Sequence, residues 1–226
     1  MPSGRTTNRT GRRRSIRALG LRRSVRMHDE AFWNKRYAGD DYLYGTEPNS
    51  FLAEQYRLLR GPVLSLSEGE GRNAVFLASH GLDVVCVDIS AVALEKAKKL
   101  AKSRGVEITT MVCDLETFDP EEGHYGSVVS ISAHLPSKVR NRLYPLVERS
   151  LRPAGTIILE AYSENQLSRD TGGPKDLDML LTVAKLRREF PNCEPVVLRE
   201  IERDVSEGEG HTGVASVVQF IARKKA

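Results

Sequence analysis

The segment Val63-Leu64-Ser65-Leu66-Ser67-Glu68-Gly69-Glu70-Gly71-Arg72-Asn73-Ala74 constrains this chain more than any other. In it an apolar, strand-like run empties into an acidic, glycine-bearing turn that opens a helical pattern. In an open α/β sheet such a turn lies beyond the carboxyl end of a parallel strand, where nucleotide-like ligands sit. From Pro62 onward the pattern alternates: strands over 62–66, 83–87, 106–112, 126–131 and 155–161, and helices over 72–80, 91–104 and 137–149. That is the rhythm of a parallel sheet. A helix over 176–189 follows, then strands over 195–204 and 214–223 joined only by the glycine-rich segment 206–213, which makes them antiparallel neighbours. Helices over 30–37 and 49–59 predict a small N-terminal helical cap. The fold class expected is α/β, a Rossmann-like open sheet, mostly parallel with a C-terminal antiparallel strand.

A chain of 226 residues supports one sizeable core, expected over residues 27–226. Residues 1–26 hold nine arginines and no acid, more positive charge than the whole chain's net +4, so the remainder is net acidic. The basic balance belongs to this tail and gives no reason to expect nucleic acid on the folded domain. The tail is expected to be disordered when free. It reads as an organelle transit peptide, as a polyanion-binding arm, or as translated sequence ahead of a true start at Met27. The last is favoured, because globular-looking sequence begins just after Met27. No apolar signal-peptide core or bilayer-length run is visible, so neither secretion nor a membrane partner is expected. Cys86, Cys113 and Cys193 have neither metal nor redox spacing and read as buried thiols of a reducing compartment. That compartment is the cytoplasm, or an organelle if the tail is a transit peptide. No metal site is expected.

The residues just after each parallel strand form the candidate site: Ser67 to Asn73, Asp88-Ile89, Asp114-Leu115, and Ser132-Ala133-His134. Asp88 is placed to accept hydrogen bonds from ribose hydroxyls, with an N-cap as its plainer role. Asp114 is placed to meet an exocyclic amine, with Leu115 or Ile89 against the ring. Gly69-x-Gly71-x-x-Ala74 fits the loose dinucleotide pattern, a weak signal alone. A pyrophosphate needs bare N–H groups at a helix N-terminus, and Glu68 and Glu70 would set like charge against it. S-adenosyl-L-methionine instead brings an ammonium and a sulfonium to this turn, and Glu68 is the candidate for its amino-acid end.

Several motifs together resemble the class I S-adenosylmethionine-dependent methyltransferases, in the branch near the tellurite-resistance and thiopurine methyltransferases. These are Phe32-Trp33-Asn34-Lys35-Arg36-Tyr37, Tyr44-Gly45-Thr46-Glu47-Pro48-Asn49, Ser67 to Ala74, Asp88-Ile89-Ser90, Cys113-Asp114-Leu115 and the closing hairpin. The resemblance runs from about Phe32 to Lys224. It departs from the common DxGxGxG form at Ser65, Ser67 and Glu68, matching the AEGEGRN form of some members. It implies a last strand inserted antiparallel between its two predecessors. It also implies cofactor contacts from Tyr44, Glu68, Gly69, Gly71, Arg72, Asn73, Asp88, Ile89, Asp114, Leu115 and Ser132.

Methyl transfer from a sulfonium asks the protein mainly for alignment and desolvation. A soft nucleophile, a thiol or a reduced chalcogen, needs no base, whereas a hydroxyl acceptor needs one within reach. His134 and His211 are the candidates; a lone histidine in a glycine-rich segment is more often solvated. The loop over 163–175 is a candidate lid. Arg72, Arg169 and Lys175 are candidate attractors of an anionic acceptor, with a solvated surface role as the default. A small-molecule acceptor is expected, since no long basic surface is visible outside the tail. The rival readings are an NAD-dependent oxidoreductase, a non-catalytic cofactor-binding protein, and RNA association through residues 1–26.

Overall fold

The computed structural model describes residues 29–208 and 210–225, so the arginine-rich tail and Met27 lie outside the described residues. Helices α1 (Glu30–Arg36) and α2 (Ser50–Gln55) precede the first strand, with a 3-10 turn over Tyr56–Leu58. The strands are β1 (Val63–Leu66), β2 (Val84–Asp88), β3 (Thr109–Val112), β4 (Tyr125–Ile131), β5 (Leu151–Tyr162), β6 (Cys193–Glu207) and β7 (His211–Lys224). Between them lie α3 (Arg72–Ser79), α4 (Ala91–Ser103), α5 (Ser137–Ser150) and α6 (Val183–Glu189). One sheet runs β3-β2-β1-β4-β5-β7-β6. Strands β1 to β5 are parallel, and β7 is antiparallel to both β5 and β6. The inserted last strand implied by the sequence resemblance is present.

Strand alternation splits the core between the two faces of the sheet. Leu64, Leu66, Val128, Ile157, Leu159 and Phe220 pack on one face with Leu143, Tyr144 and Phe190. Val63, Val84, Val129, Ile158 and Ile221 pack on the other with Leu52, Leu77 and Leu94. Each such side chain contributes about 1.5–3 kcal/mol. Ser90 caps α4 by accepting from Ala93 N. The first turn of α5, which opens at Pro136 and has no cap of its own, borrows one, since Asp178 Oδ2 accepts from Ser137 N at 2.8 Å.

Two expectations are corrected. The helix read over 176–189 is a 3-10 turn at Leu177–Met179 and a separate α6, with Leu180 to Thr182 between them. Asp176 caps the first piece and Thr182 the second, and Leu180 and Leu181 are buried between. Leu181 N donates to Tyr162 O, so this stretch bonds to the end of β5 instead of continuing a helix. The loop read over 206–213 is mostly strand. Ser206 pairs with Thr212 and Glu207 with His211, with Gly208 and Gly210 in the turn. The glycines that suggested a loop serve close packing: a Cβ on Gly208 would lie 2.4 Å from Leu43 O, and one on Gly210 would lie 2.4 Å from the Tyr44 ring.

Candidate active site

The carboxyl edge of the sheet is built around the glycine turn. After β1 the backbone passes through positive φ at Ser67 (50°), Gly69 (65°) and Gly71 (93°). The expectation that Glu68 faces the cofactor is corrected. Its Oε1 accepts from Asn73 N (3.1 Å) and Ala74 N (2.8 Å), and Ser65 Oγ donates to its Oε2. It is the internal cap of α3, and Ser65, standing where the common motif has an acid, is its partner. Burial raises the Glu68 carboxyl above its usual range against these hydrogen bonds. Glu70 turns toward the N-terminal segment, accepting from Leu43 N at 2.8 Å and pairing with Lys96. Lys96 Nζ also donates to Gly39 O (2.9 Å) and Asp41 O (2.6 Å).

Residues 29–49 therefore form a strap latched across the edge. Tyr37 is buried in it, stacked on Trp33 at 5.6 Å, and its hydroxyl lies 3.1 Å from where a Cβ on Gly69 would stand. Burial, with Asp88 next, pushes the Tyr37 phenol well above its usual range. Tyr44 lies against His211 at 4.6 Å between ring centroids, and Arg36 Nε donates to its hydroxyl at 3.3 Å.

Asp88, at the end of β2, accepts Gly69 N at Oδ2 (2.9 Å) and Ser90 N at Oδ1 (2.8 Å), and is buried at 6% exposure. Burial raises its carboxyl despite these bonds. The Ile89 N–H also bonds this carboxylate, and of its about four acceptor sites one is left for a ribose hydroxyl. Cys113 N bonds Asp88 O at 2.9 Å, which brings Asp114 beside Asp88. Asp114 Oδ1 accepts from Glu116 N and shapes the turn that buries Leu115. Ile89 is half-buried next to Asp88. Ser132 sits at φ 55° and its N–H donates to Glu160 O, ending β4.

S-adenosylmethionine suits this turn better than a dinucleotide. Of the N–H groups that would bind a pyrophosphate, those of Asn73 and Ala74 are taken by Glu68 and that of Gly69 by Asp88. Of the three buried carboxylates at the turn, Glu68 and Glu70 are spent on internal partners and Asp88 keeps acceptor capacity for a ribose. When bound, the cofactor supplies an electrophilic methyl group.

A polar network absent from the sequence-based site lies beside the turn. Asn49, fully buried, donates through Nδ2 to Glu160 Oε1 (2.7 Å) and Glu207 Oε1 (2.8 Å), and its N–H meets Asn73 Oδ1 (2.9 Å). Arg203 bridges the same two carboxylates at 2.6 and 3.0 Å, and Arg72 Nη2 reaches Glu207 Oε2 at 2.6 Å. Arg72 is thus committed to Glu207, and Arg169, expected to attract an acceptor, pairs with Glu202. Burial works against ionising Glu207, but His211, Arg72 and Arg203 hold its carboxyl well below the usual range. A cavity of about 10 Å³, room for one water, lies among Ser132, Glu160, Tyr162, Arg203 and Glu207, so the network is packed and not a ligand chamber. The signals in the sequence were an acid in the apolar β5 run and a glutamate four residues before His211.

His211 is buried, not solvated, at 7% exposure, edge-on to Tyr162 and 3.8 Å from Glu207 Oε2 through Nδ1. His134 is corrected as a catalytic base. Its Nε2 accepts Tyr162 N at 3.0 Å, tying β4 to the end of β5, and burial depresses its pKa to about 3. A group so depressed is neutral in the folded state, so its contribution to stability is full above pH 6.5 and lost as pH falls toward 3. In His134→Asn, the stability difference from wild type should shrink by about 2 kcal/mol between pH 6.5 and 5, read from urea midpoints. An unchanged difference would mean that His134 is charged in the fold. The lid read over 163–175 is a 3-10 turn at Glu164–Ser168 packed on β7, with buried Gln166 accepting Ser216 N at 2.9 Å.

Residues 63–155 match the Methyltransf_25 family, a methyltransferase domain. A curated relative in Mycobacteroides abscessus, 2-heptyl-1-hydroxyquinolin-4(1H)-one methyltransferase, is 27% identical over 126 residues. That match spans 54% of this chain and 55% of the relative. Among solved structures, TehB from Haemophilus influenzae is 18% identical with a TM-score of 0.65, over 87% of this chain and 67% of that one. The N-methyltransferase NodS from Bradyrhizobium japonicum, solved with S-adenosyl-L-homocysteine, is 14% identical with a TM-score of 0.63, over 87% of this chain and 98% of that one. Residues 63–155 thus match a methyltransferase domain, and the strand order gives the chain the fold shared by the S-adenosylmethionine-dependent methyltransferases it resembles.

Proposed function

We propose that the protein transfers a methyl group from S-adenosylmethionine to a small-molecule acceptor at the carboxyl edge, where strap, glycine turn and β6–β7 turn meet. The carrying observation is Asp88, buried at the end of β2 beside a turn whose Gly69, Asn73 and Ala74 N–H groups are already taken by carboxylates. In this reading Asp88 takes the ribose and Asp114 the base, with Ile89 and Leu115 against the ring. The backbone of Gly69 to Asn73 and Ser132 lines the cofactor, and Tyr44 closes over it. Glu68 acts through the turn it caps. The domain spans 27–226, with residues 1–26 outside it.

A flat acceptor suits an edge walled by Tyr44, Tyr162 and His211. The hydroxyquinolone in the curated relative's name is one such molecule. A thiol or chalcogen anion, the acceptor expected from the sequence, is the other class to test.

Calorimetry on the full chain should show heat with S-adenosylmethionine and S-adenosylhomocysteine and none with NAD. Asp88→Ala should weaken S-adenosylhomocysteine binding about 10- to 100-fold, the worth of one or two hydrogen bonds to a charged group. Binding of NAD, or of neither sulfur nucleotide, would overturn the reading.

A further inference from the structure

The strap lies along the glycine turn residue by residue. The Tyr37 hydroxyl stands over Gly69, Leu43 N donates to Glu70, and Asn49 N donates to Asn73 Oδ1 at 2.9 Å. Glu68 through Asn73 and Asp88 are all buried, so a ligand of nucleoside size reaches Asp88 only when this cover moves. The cover is pinned at two points. Asn34 Oδ1 accepts from Ser90 Oγ at 2.7 Å on one side, and Asn49 is fully buried on the other. Between α1 and α2 the chain forms only turns and bends, and residues 38–41 are exposed. What holds this span is a hub on α4: Lys96 Nζ pairs with Glu70 and donates to Gly39 O and Asp41 O, while Tyr42 Oη donates to Lys96 O at 3.0 Å. The Lys96 and Glu70 side chains are 9% and 2% exposed. Opening would return both charges to water, which offsets much of the lost attraction, so this latch releases more readily than a packed apolar face.

We propose that residues 37–48 are a gate over the cofactor turn and that Lys96 and Glu70 are the positioning pair that latches it, setting how fast the S-adenosyl nucleotide enters and leaves. This rests on the reading above that the glycine turn binds that nucleotide. The same latch closes the gate over a free turn and over an occupied one. Loosening it therefore destabilises both closed states alike: entry and exit quicken together, and their ratio, the affinity, stays nearly constant. A residue that only touches the nucleotide gives another pattern, in which exit quickens, entry is unchanged and binding weakens.

The test is stopped-flow binding of S-adenosylhomocysteine to the full chain, read through the fluorescence of its single tryptophan, Trp33, which stacks on Tyr37. The observed rate for the wild type should level off as the nucleotide concentration rises, at the opening rate of the gate. Glu70→Gln keeps an acceptor for Leu43 N and removes the charge facing Lys96. Entry and exit should each quicken about 10-fold, with Kd changed by less than about 3-fold. Tyr42→Phe, which removes only the bond to Lys96 O, is the second variant if the first does not fold, and should quicken both rates about 5-fold. Hydrogen exchange on the wild type needs no variant: the amides of Leu43 and Gly45 should exchange faster than those of β1, and slow when S-adenosylhomocysteine is bound. A binding rate that climbs without levelling, variants with wild-type rates, faster exit with unchanged entry, or strap amides as protected as those of β1 would each overturn the gate and leave the proposed function standing. No binding of S-adenosylhomocysteine to the wild type overturns that function and the gate with it.

Discussion

Gly71→Ala is expected to destabilise the protein by about 2–6 kcal/mol, lowering its Tm by roughly 10 °C, and to abolish measurable S-adenosylhomocysteine binding. Gly71 sits at φ 93°, and a Cβ there would lie 2.6 Å from Ala97 Cβ and 2.7 Å from Ala97 Cα on α4. The first is a conformational strain of about 1–3 kcal/mol. The second is a clash with backbone, which cannot rotate away as a side chain can, and overpacking adds about 1–3 kcal/mol more. Gly81→Ala separates the two, because Gly81 has φ 79° with nothing within 4 Å of its Cβ position. That variant should lose only the strain. Ala97→Gly in the Gly71→Ala background should recover part of the loss, since the contact with Cα remains. Thermal unfolding of the four proteins would refute the account if Gly71→Ala and Gly81→Ala lost equal stability.

The second large effect lies away from the site, at Arg140. This side chain is 1% exposed and pairs with Glu189 at 3.0 Å. It also donates to Asp178 O at 2.7 Å and to Leu135 O. Arg140→Met should cost about 3–5 kcal/mol, because Glu189 would be left as a buried charge without its partner. Arg140→Met with Glu189→Met should recover most of that loss, since removing both charges also removes their desolvation. Urea unfolding of the two single variants and the double variant measures the coupling. A double variant no more stable than Arg140→Met would show that the bonds to Asp178 and Leu135 dominate. Those bonds hold the 3-10 turn at Leu177–Met179 against α5, so Arg140 fastens the segment over the end of β5.

Strands β1, β2 and β4 were legible because each is a largely apolar run of four to seven residues ending near a turn residue. The order of the last three strands was not carried by any local pattern and came through the resemblance in the closing hairpin. The misreadings have physical causes. Leu177 to Glu189 has helical spacing of apolar residues, but the Leu181 N–H finds a partner on β5 that no local pattern displays. Glu68 lies in a cofactor motif, and its inward turn depends on Ser65 two residues into β1 and on two helix N–H groups. His134 and His211 were indistinguishable as lone histidines. One accepts a backbone N–H and the other meets Glu207 across a strand pair, a difference that only register creates. Asn49, Glu160 and the β6 pair Arg203 and Glu207 come from three separate segments, so their network exists only once the sheet is closed.

The placement of β7 also bears on how the protein is made. The first half of the sheet, from β1 to β4, is contiguous in sequence and pairs strand by strand as the chain emerges. The second half waits for β7, which follows the other described strands in synthesis yet lies between β5 and β6. On the ribosome the nascent chain therefore holds a nearly complete cofactor turn while β5 and β6 have no neighbour to separate them. In that interval their open edges invite a direct β5–β6 pairing that β7 must pre-empt or displace, so fidelity in this protein is decided in the last strand to arrive.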